Sequence, residues 1–335
     1  MTRNSYAKWC FLGFVYVLAS LLFTQIYMTN TFEFDGATLE LLTNFKAERP
    51  YQYRILVPAI ARLMQVVTKL EVVSIYFTLT LASTVGVLFG FRSYLRQFIP
   101  EEAANLGTLA IIYPMLWNLA AFCNWRFFYP FDVPTILFFV LALTSLAKKR
   151  WIAFYVIFIL ASINRETSFF LSVIYLVTSF SKDRIKSSAL HLALQVAIWS
   201  GIYFTLRHQF SDNPGNPFDL MWWRNLEMWK TFATLQFNEG IFAMLSMCGF
   251  IWLLIPLQWN ALPQFLKLAM LICIPFWASM FVVANLDELR IYCELIPILT
   301  APAVFSLWKG SGFGVRECES KRLQEQGLFE HDAES

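Results

Sequence analysis

The segment WCFLGFVYVLASLLFTQIYM, residues 9–28, runs for twenty residues without a charge. A second uncharged stretch of the same length, VVSIYFTLTLASTVGVLFGF, occupies residues 72–91. A helix of about twenty residues is about 30 Å long, which is the thickness of the hydrocarbon core of a bilayer. The apolar residues follow one another directly, without the alternating polar positions of a half-buried helix or strand. Both segments are therefore predicted to span a membrane.

The composition extends this prediction to most of the chain. Of its 335 residues, 58% are hydrophobic and 15% are charged, whereas soluble domains carry roughly a quarter charged residues. We expect an all-α, polytopic transmembrane helical bundle of about ten spans over residues 1–308, followed by a polar, Glu-rich and disordered cytoplasmic tail at 309–335. The expected spans are 9–28, 72–91, 106–122, 132–147, 151–163, 168–180, 189–206, 240–257, 265–283 and 291–308.

Basic residues predict the orientation of the bundle, because short cytoplasmic loops carry an excess of Lys and Arg. With the N-terminus in the cytoplasm, the short inner loops carry nine basic residues and the short outer loops carry three. The nine are Arg92, Arg96, Lys148, Lys149, Arg150, Lys182, Arg184, Lys186 and Lys267, and the three are Arg126, Arg165 and Arg290. Both termini are therefore expected on the cytoplasmic side of the membrane, which we take to be a bacterial inner membrane.

Two long segments, 29–71 and 207–239, then face outward. The first contains PYQYRILVPAIARLMQVV (50–67), which predicts a short amphipathic helix. The second contains MWWRNLEMWKTF (221–232), in which Trp222, Leu226 and Trp229 fall on one helical face. A Trp-rich helix of this kind is typical of the membrane interface, either as a bound amphipathic helix or as a simple aromatic anchor.

The segment 151–180 has two interpretations. Read as two spans of thirteen residues, it forms a hairpin whose tip, Asn164-Arg165-Glu166-Thr167, lies below the outer surface, since each half is only roughly 20 Å long. Read as one kinked helix, it would invert the orientation of everything that follows. We favour the hairpin. A charged tip at that depth costs at least ~2.5 kcal/mol per residue unless it faces protein or a water-filled cavity.

Five polar clusters fall on the outer side, and each has a structural alternative. Asp35 precedes Gly36, a favoured turn pair. Arg54 has acids in its own loop as possible partners. Asp132 and Asn164 are good N-cap residues, with Glu166 in the first turn that follows. In the cluster at 287–294, the spacings from Asp287 to Arg290 and from Arg290 to Glu294 fit an ion-pair ladder along one helix. The clusters are Glu33 with Asp35; Tyr51, Tyr53 and Arg54; Asn124, Arg126 and Asp132; Asn164, Arg165 and Glu166; and Asp287, Glu288, Arg290 and Glu294.

The chemistry that suits this layout is group transfer from a lipid-phosphate donor at the membrane surface. Arginine supplies the fork-shaped cation that a phosphate or diphosphate leaving group needs. An acceptor hydroxyl needs a carboxylate within hydrogen-bond reach to take its proton. Asp35 is the candidate base because it lies in a loop close to the first span, and Arg54, Arg165 and Arg290 are candidate phosphate ligands. This chemistry requires that the distant clusters converge on one pocket.

No cofactor is required by this sequence. The six cysteines are scattered without a C-x-x-C pair, and the three histidines are far apart, so neither pattern predicts a metal site. A divalent cation held by carboxylates alone remains compatible with the sequence. The expected partners are membrane lipids and a lipid-linked sugar donor. Nothing in the sequence points to nucleic acid or to a particular partner protein.

The order of these elements resembles the polytopic glycosyltransferases of the GT-C class, which use polyprenyl-phosphate sugars. The blocks PYQYRILVP (50–58), FYPFDVP (128–134), NRETSFFL (164–171) and DELRIYCELIP (287–297) are similar to recurring segments of a bacterial membrane-protein group that we associate with this class. The resemblance covers most of residues 1–308. It implies a catalytic acid in the first outer loop, where Asp35 and Glu33 stand. The two are separated by Phe34, whereas the class carries an adjacent acidic pair.

The expected function is therefore an inverting, membrane-embedded glycosyltransferase acting on the extracytoplasmic side. Asp35 or Glu33 would be catalytic, and the remaining outer-side residues would bind substrate. Two alternatives stay open: a transporter or flippase of a lipid-linked or anionic solute, and a non-catalytic membrane assembly protein. The expected substrate-binding residues are Arg54, Tyr53, Arg126, Asp132, Asn164, Arg165, Glu166, Glu288 and Arg290.

Overall fold

The structure, a computed structural model, describes residues 3–121, 126–180, 185–218, 220–233 and 239–311. Within these ranges the secondary structure is helical, and the β pairing is limited to an isolated parallel bridge between Phe32 and Phe127. Helices prevail because a backbone in hydrocarbon must satisfy its own N–H and C=O groups. In chain order the helices are α1 (Arg3–Thr29), α2 (Leu39–Thr43), α3 (Leu56–Thr68), α4 (Val72–Leu95), α5 (Glu101–Gly107), α6 (Ile112–Leu116), α7 (Asp132–Ala147), α8 (Trp151–Asn164), α9 (Phe170–Ser179), α10 (Ile185–Gln209), α11 (Trp222–Ala233), α12 (Glu239–Leu245), α13 (Gln264–Met270), α14 (Cys273–Val283) and α15 (Leu295–Gly310).

Four helical segments are long and apolar enough to cross a membrane. They are Tyr6–Thr29, Val72–Leu95, Ile185–Gln209 and Gln264–Val283, the last comprising α13 and α14. Six shorter apolar helices of 10–17 residues accompany them. The chain is therefore a helical, multi-pass membrane protein, as its composition predicts.

Two of the expected spans, 106–122 and 240–257, are not continuous helices. The first is divided among α5, a 3₁₀ segment, α6 and a π-helical turn at Trp117–Ala121. The second breaks after α12, where Cys248, Gly249 and Phe250 all take left-handed backbone angles. The Tyr113 hydroxyl donates to the Gly249 carbonyl (2.9 Å), and the Cys248 N–H donates to the Asn118 side chain (2.8 Å). Side chains of the first broken segment thus satisfy freed backbone groups of the second, which hydropathy does not reveal.

Gly249 is a position where only glycine fits, since its φ is +63° and an added Cβ would lie 2.5 Å from the Tyr113 ring. We expect Gly249→Ala to lower the free energy of unfolding by about 1–3 kcal/mol. Gly201→Ala is the matched control, because no atom lies within 4 Å of its Cβ position inside α10. It should be neutral or stabilising by about 0.5–1 kcal/mol. Apparent melting temperatures in detergent measure both, and equal melting of Gly249→Ala and wild type would contradict the left-handed turn.

The segment 151–179 is a hairpin, as favoured from the sequence. The ring centroids of Trp151 and Tyr175 are 5.8 Å apart. In one continuous helix these residues would be separated by about 36 Å. The chain reverses at Arg165, whose backbone is extended between α8 and the 3₁₀ turn Glu166–Phe169.

Two ends of the bundle can be distinguished by their contacts. At one end, which we call the basic end, Lys8 pairs with Glu102 (3.2 Å) and Arg92 pairs with Glu101 (2.6 Å). The C-terminal part of α15 reaches the same end, where Trp308 and Glu102 line one groove. The N-terminus of α1 and the C-terminus of α15 therefore lie at the same end. Lys182, Arg184, Asn124 and most of the expected tail, 312–335, lie outside the described residues.

Helices α4 and α7 pack closely because α4 presents two glycines on one face. A Cβ at Gly86 would lie 3.1 Å from Leu137, and one at Gly90 would lie 3.0 Å from Val140. Small residues four apart let helix backbones approach, which is how helices associate where lipid supplies no hydrophobic drive.

At the end opposite to the basic end, the two long loops are joined. Their expected helices are present as α3 and α11. The Arg49 guanidinium donates to the carbonyls of Ser211 and Gly215, both at 2.7 Å. The Asn213 amide donates to the carbonyls of Phe45 (3.2 Å) and Ala47 (2.8 Å). These bonds hold the two loops together above the polar clusters.

Candidate functional site

A cavity of about 410 Å³ lies at this end of the bundle, between the two long loops and helices α9, α10 and α14. Its charged lining consists of four arginines and two glutamates, so its wall carries two net positive charges. Its remaining wall is largely aromatic or aliphatic. The charged residues are Arg54, Arg165, Arg207, Arg290, Glu166 and Glu288, and the apolar ones include Phe169, Phe170, Trp199, Phe218, Met280, Val283 and Ile291.

Arg54 is held in the wall by a distant carboxylate and by an aromatic ring. Its Nη2 donates to Glu166 Oε1 at 3.0 Å, across 112 residues of sequence. Its guanidinium carbon lies 4.7 Å from the centre of the Phe131 ring. The Arg54 side chain is 9% exposed and that of Glu166 is 32% exposed. The interpretation of Arg54 as paired within its own loop is therefore wrong.

Arg290 is positioned in a similar way on the same aromatic stack. Its guanidinium lies 3.9 Å from the centre of the Tyr129 ring, and its Nε donates to Glu288 Oε1 at 2.5 Å. Tyr129 in turn stacks on Tyr51 (5.1 Å) and on Phe131 (5.3 Å). Burial works to lower the pKa of Arg290, but the combined effect of Glu288, Tyr129, Asp132 and Tyr51 outweighs it and raises that pKa well above its ordinary value. Arg290 therefore stays cationic at the cavity.

Arg165 joins the cavity to a buried cluster behind it. Its Nη1 donates to Asp132 Oδ1 at 3.2 Å, and its Nε lies 3.4 Å from Glu294 Oε1. The side chains of Asp132 and Glu294 are fully buried. Asn164 lies beside them and donates its amide to the Phe131 carbonyl (3.1 Å) and to Thr135 Oγ1 (2.9 Å). The hairpin tip is thus tolerated at depth because it faces protein and the cavity.

These contacts correct three structural alternatives drawn from local spacing. Asp132 is the first residue of α7 and not its N-cap, and Asn164 ends α8 and does not cap the next turn. Only Glu166 lies in a first turn as expected. The ion-pair ladder is absent from the 287–294 segment, since Asp287 pairs with Arg224 (3.0 Å). Local spacing failed because Asp287 and Glu294 found partners in other segments, while Arg290 bonds Glu288 two residues away.

Arg207 is the cavity arginine that the sequence interpretation missed. Its guanidinium lies over the rings of Tyr53 (4.7 Å), Tyr203 (4.3 Å) and Phe218 (4.4 Å), and its Nη1 donates to the Pro217 carbonyl (2.9 Å). Among the described residues it forms no ion pair, unlike the other three arginines of the wall. The sequence pattern that could have identified Arg207 is its spacing from Trp199 and Tyr203. These residues follow one another at intervals of four and therefore share one face of α10.

The remaining expected site residues lie away from the cavity wall. Asp35 is exposed at the start of a 3₁₀ turn, Asp35–Ala37, in agreement with its turn interpretation. Glu33 is also exposed, and its Oε2 accepts from the Leu39 N–H (2.7 Å) at the start of α2. Arg126 is exposed too. Tyr53 is buried in a small recess beside the cavity, which it shares with Glu166 and Arg207.

The arrangement suits an anionic ligand with an apolar part. Among the described residues Arg207 offers a guanidinium without a counter-charge, and the other three arginines of the wall, each bound to a carboxylate, add hydrogen-bond donors around it. The aromatic and aliphatic wall formed by α9, α10 and α14 offers space for a chain or ring. Among the described residues, no three acidic, histidine or cysteine side chains come together in a way that could hold a metal ion.

Comparison with known proteins assigns no family to the chain. No protein family model, no curated protein and no solved structure matches the chain.

Proposed function

We propose that the protein is a membrane-embedded glycosyltransferase that moves a sugar from a polyprenyl-phosphate donor to an acceptor on the extracytoplasmic side. The observation that carries the proposal is the convergence of four arginines on one cavity with an apolar wall. The arginines would bind the phosphate, and the apolar wall would hold the first part of the lipid chain. In this arrangement the donor enters from the bilayer between helices.

We further propose the topology that this function needs, with about ten crossings of a bacterial inner membrane and both termini in the cytoplasm. The shared end of α1 and α15 supports it, because an even number of crossings returns the chain to its starting side. The cluster of Lys8, Arg92 and Lys148 at that end supports a cytoplasmic assignment through the positive-inside rule. The cavity then opens toward the outer side.

In the proposed reaction, the acceptor oxygen attacks the anomeric carbon of the donor sugar. A bond forms between those two atoms while the bond from the anomeric carbon to the phosphate oxygen breaks, and the polyprenyl phosphate leaves with the electron pair. A carboxylate takes the acceptor proton. Asp35 is the candidate for this role, with Glu33 as its neighbour. Both stand at the rim of the molecule, so they would act on an acceptor that arrives from the aqueous side.

The exposure of Asp35 makes a clean test, since Asp35→Asn should leave the fold intact. We expect transfer from a polyprenyl-phosphate sugar in proteoliposomes to fall by about 10²–10⁴-fold, the usual worth of a general base. Glu40→Gln, an exposed acid of the same loop, is the matched control and should transfer at the wild-type rate. Equal transfer by Asp35→Asn and Glu40→Gln would remove Asp35 from the mechanism.

A second candidate function, transport of a lipid-linked or anionic solute, is favoured by one observation. The segments 101–121 and 239–261 are both broken, and discontinuous helices are typical of transporter binding sites. Transport predicts ligand binding and movement across the bilayer without sugar transfer. If proteoliposomes translocate the donor and wild-type protein transfers no sugar from any polyprenyl-phosphate donor, the transporter is the better assignment.

A further inference from the structure

The cluster behind the cavity contains more carboxylates than cations. Arg165 contacts Asp132 (3.2 Å) and Glu294 (3.4 Å), and the two carboxylate side chains are 0% exposed. Arg165 is therefore shared by two acids that water cannot reach. If both were ionised, the cluster would hold one uncompensated negative charge in a region of low dielectric, which is strongly unfavourable.

No other described group that faces the cluster supplies the missing positive charge. The positive charge of Arg290, in the segment before Glu294, also interacts with the cluster, but Arg290 is already bound to Glu288 at 2.5 Å. The Thr167 hydroxyl donates to Glu294. The Cys293 thiol and the Tyr27 hydroxyl, which donates to the Tyr129 carbonyl, lie near Asp132. All three groups are uncharged donors and supply no positive charge.

The hydrogen bonds of the cluster are also incomplete. Among the described residues, three buried oxygen atoms lack a donor, namely Asp132 Oδ2, Glu294 Oε2 and Asn164 Oδ1, and the buried Nε of Arg165 lacks a well-aligned acceptor. Asn164 points its amide into the same turn, because its nitrogen donates to the carbonyl of Phe131, the residue before Asp132. Buried polar atoms in native proteins nearly always find a partner. Three of the four unpartnered atoms are acceptors, so the cluster mainly lacks a donor or a cation.

We propose that this cluster is a proton-binding site, in which Asp132 and Glu294 share one proton on the side of Arg165 that faces away from the cavity. One proton neutralises the cluster and turns an acceptor oxygen into an O–H donor for a neighbouring oxygen. Arg165 then keeps its full charge at the cavity. This inference concerns the resting protein and does not depend on the proposed transfer reaction.

The charge balance of the cluster also gives the direction of its pH dependence. Burial disfavours a second negative charge beside Arg165, whereas both acids ionise freely in the unfolded chain. The folded protein therefore binds this proton more tightly than the unfolded chain does. The stability contributed by the proton is greatest at acidic pH and is lost as the pH rises.

Infrared spectroscopy of the detergent-solubilised full chain tests the proposal directly. At pH 7 the wild type should show the carbonyl stretch of one buried, protonated carboxylic acid, with the shift in D₂O that identifies it. Glu294→Gln and Asp132→Asn should each abolish that signal, because the one remaining carboxylate is then neutralised by Arg165. Glu40→Gln is the control; it removes an exposed carboxylate outside this cluster and should retain the signal.

Melting temperature against pH supplies a second measurement. Wild type and Glu40→Gln should lose stability as the pH rises from 5 toward 9, by up to about tenfold in the unfolding equilibrium per pH unit for one bound proton. Glu294→Gln and Asp132→Asn should reduce this dependence. Absence of the signal in wild type, or its persistence in both variants, overturns the proposal. Stabilisation by Na⁺ over K⁺ at constant ionic strength, without the signal, would assign the site to a metal cation and also overturn it.

Discussion

Arg165→Gln is expected to lower the free energy of unfolding by about 3–5 kcal/mol, the usual cost of removing one partner from a buried ion pair. Arg165 is the cation that Asp132 and Glu294 contact, and both carboxylates are fully buried. The variant should give little folded, monodisperse protein in detergent at pH 7. Size-exclusion chromatography and the apparent melting temperature measure this.

A triple variant separates the loss of charge balance from the loss of packing. Arg165→Gln combined with Asp132→Asn and Glu294→Gln removes every charge from the cluster at nearly constant volume. We expect it to recover much of the lost stability, because neutral amides can bond one another where unpaired carboxylates cannot. Arg62→Gln, on an exposed arginine that bonds Asn44 and Gln65, is the control for arginine loss. A stable Arg165→Gln single variant at pH 7 would contradict the ion-pair description.

Arg207→Gln is expected to have the largest effect on ligand binding. A hydrogen bond to a charged group contributes about 1.5–3 kcal/mol, so affinity for a polyprenyl phosphate should fall on the order of tenfold to a hundredfold. The physical reason is that Arg207 forms no ion pair among the described residues, so its charge is available to a phosphate. Binding to wild-type and variant protein in nanodiscs gives the comparison.

Two further variants define what Arg207 contributes. Arg207→Lys keeps the charge but loses the planar contact with Tyr53, Tyr203 and Phe218, so its affinity should lie between those of wild type and Arg207→Gln. Arg62→Gln again serves as the control and should bind as wild type. If Arg207→Gln folds and binds the phosphate lipid normally, the cavity is not the phosphate site.

The polar clusters show how far local spacing carries a prediction. The sequence alone assigns nine substrate-binding residues to one outer surface, and five of the nine line one cavity: Arg54, Arg165, Glu166, Glu288 and Arg290. Their ion-pair partners were not foreseen. The ladder inferred for 287–294 was wrong because Asp287 bonds Arg224 and Glu294 contacts Arg165. Spacing along one helix says which side chains are neighbours only when no distant segment competes for them.

The broken helices illustrate the same limit. Hydropathy gave the extent of α7 and of the hairpin at 151–179 well, because α7 and each arm of the hairpin are continuous apolar stretches. It could not detect the turn at Cys248–Phe250, which is stabilised by Tyr113 and Asn118 from another segment. A break in a helix within the membrane is tolerated only where neighbouring side chains satisfy the freed backbone groups.

The sequence by itself determined that this chain is a helical membrane protein. The free energy of transfer into lipid is a sum over consecutive residues, and each residue contributes to it independently of the tertiary fold. Only the tertiary structure decided which charges meet. Arg54 and Glu166 are 112 residues apart, and Arg165 lies 129 positions from Glu294. The energy of a buried charge depends on what surrounds it in space, and that environment exists only once the helices have packed.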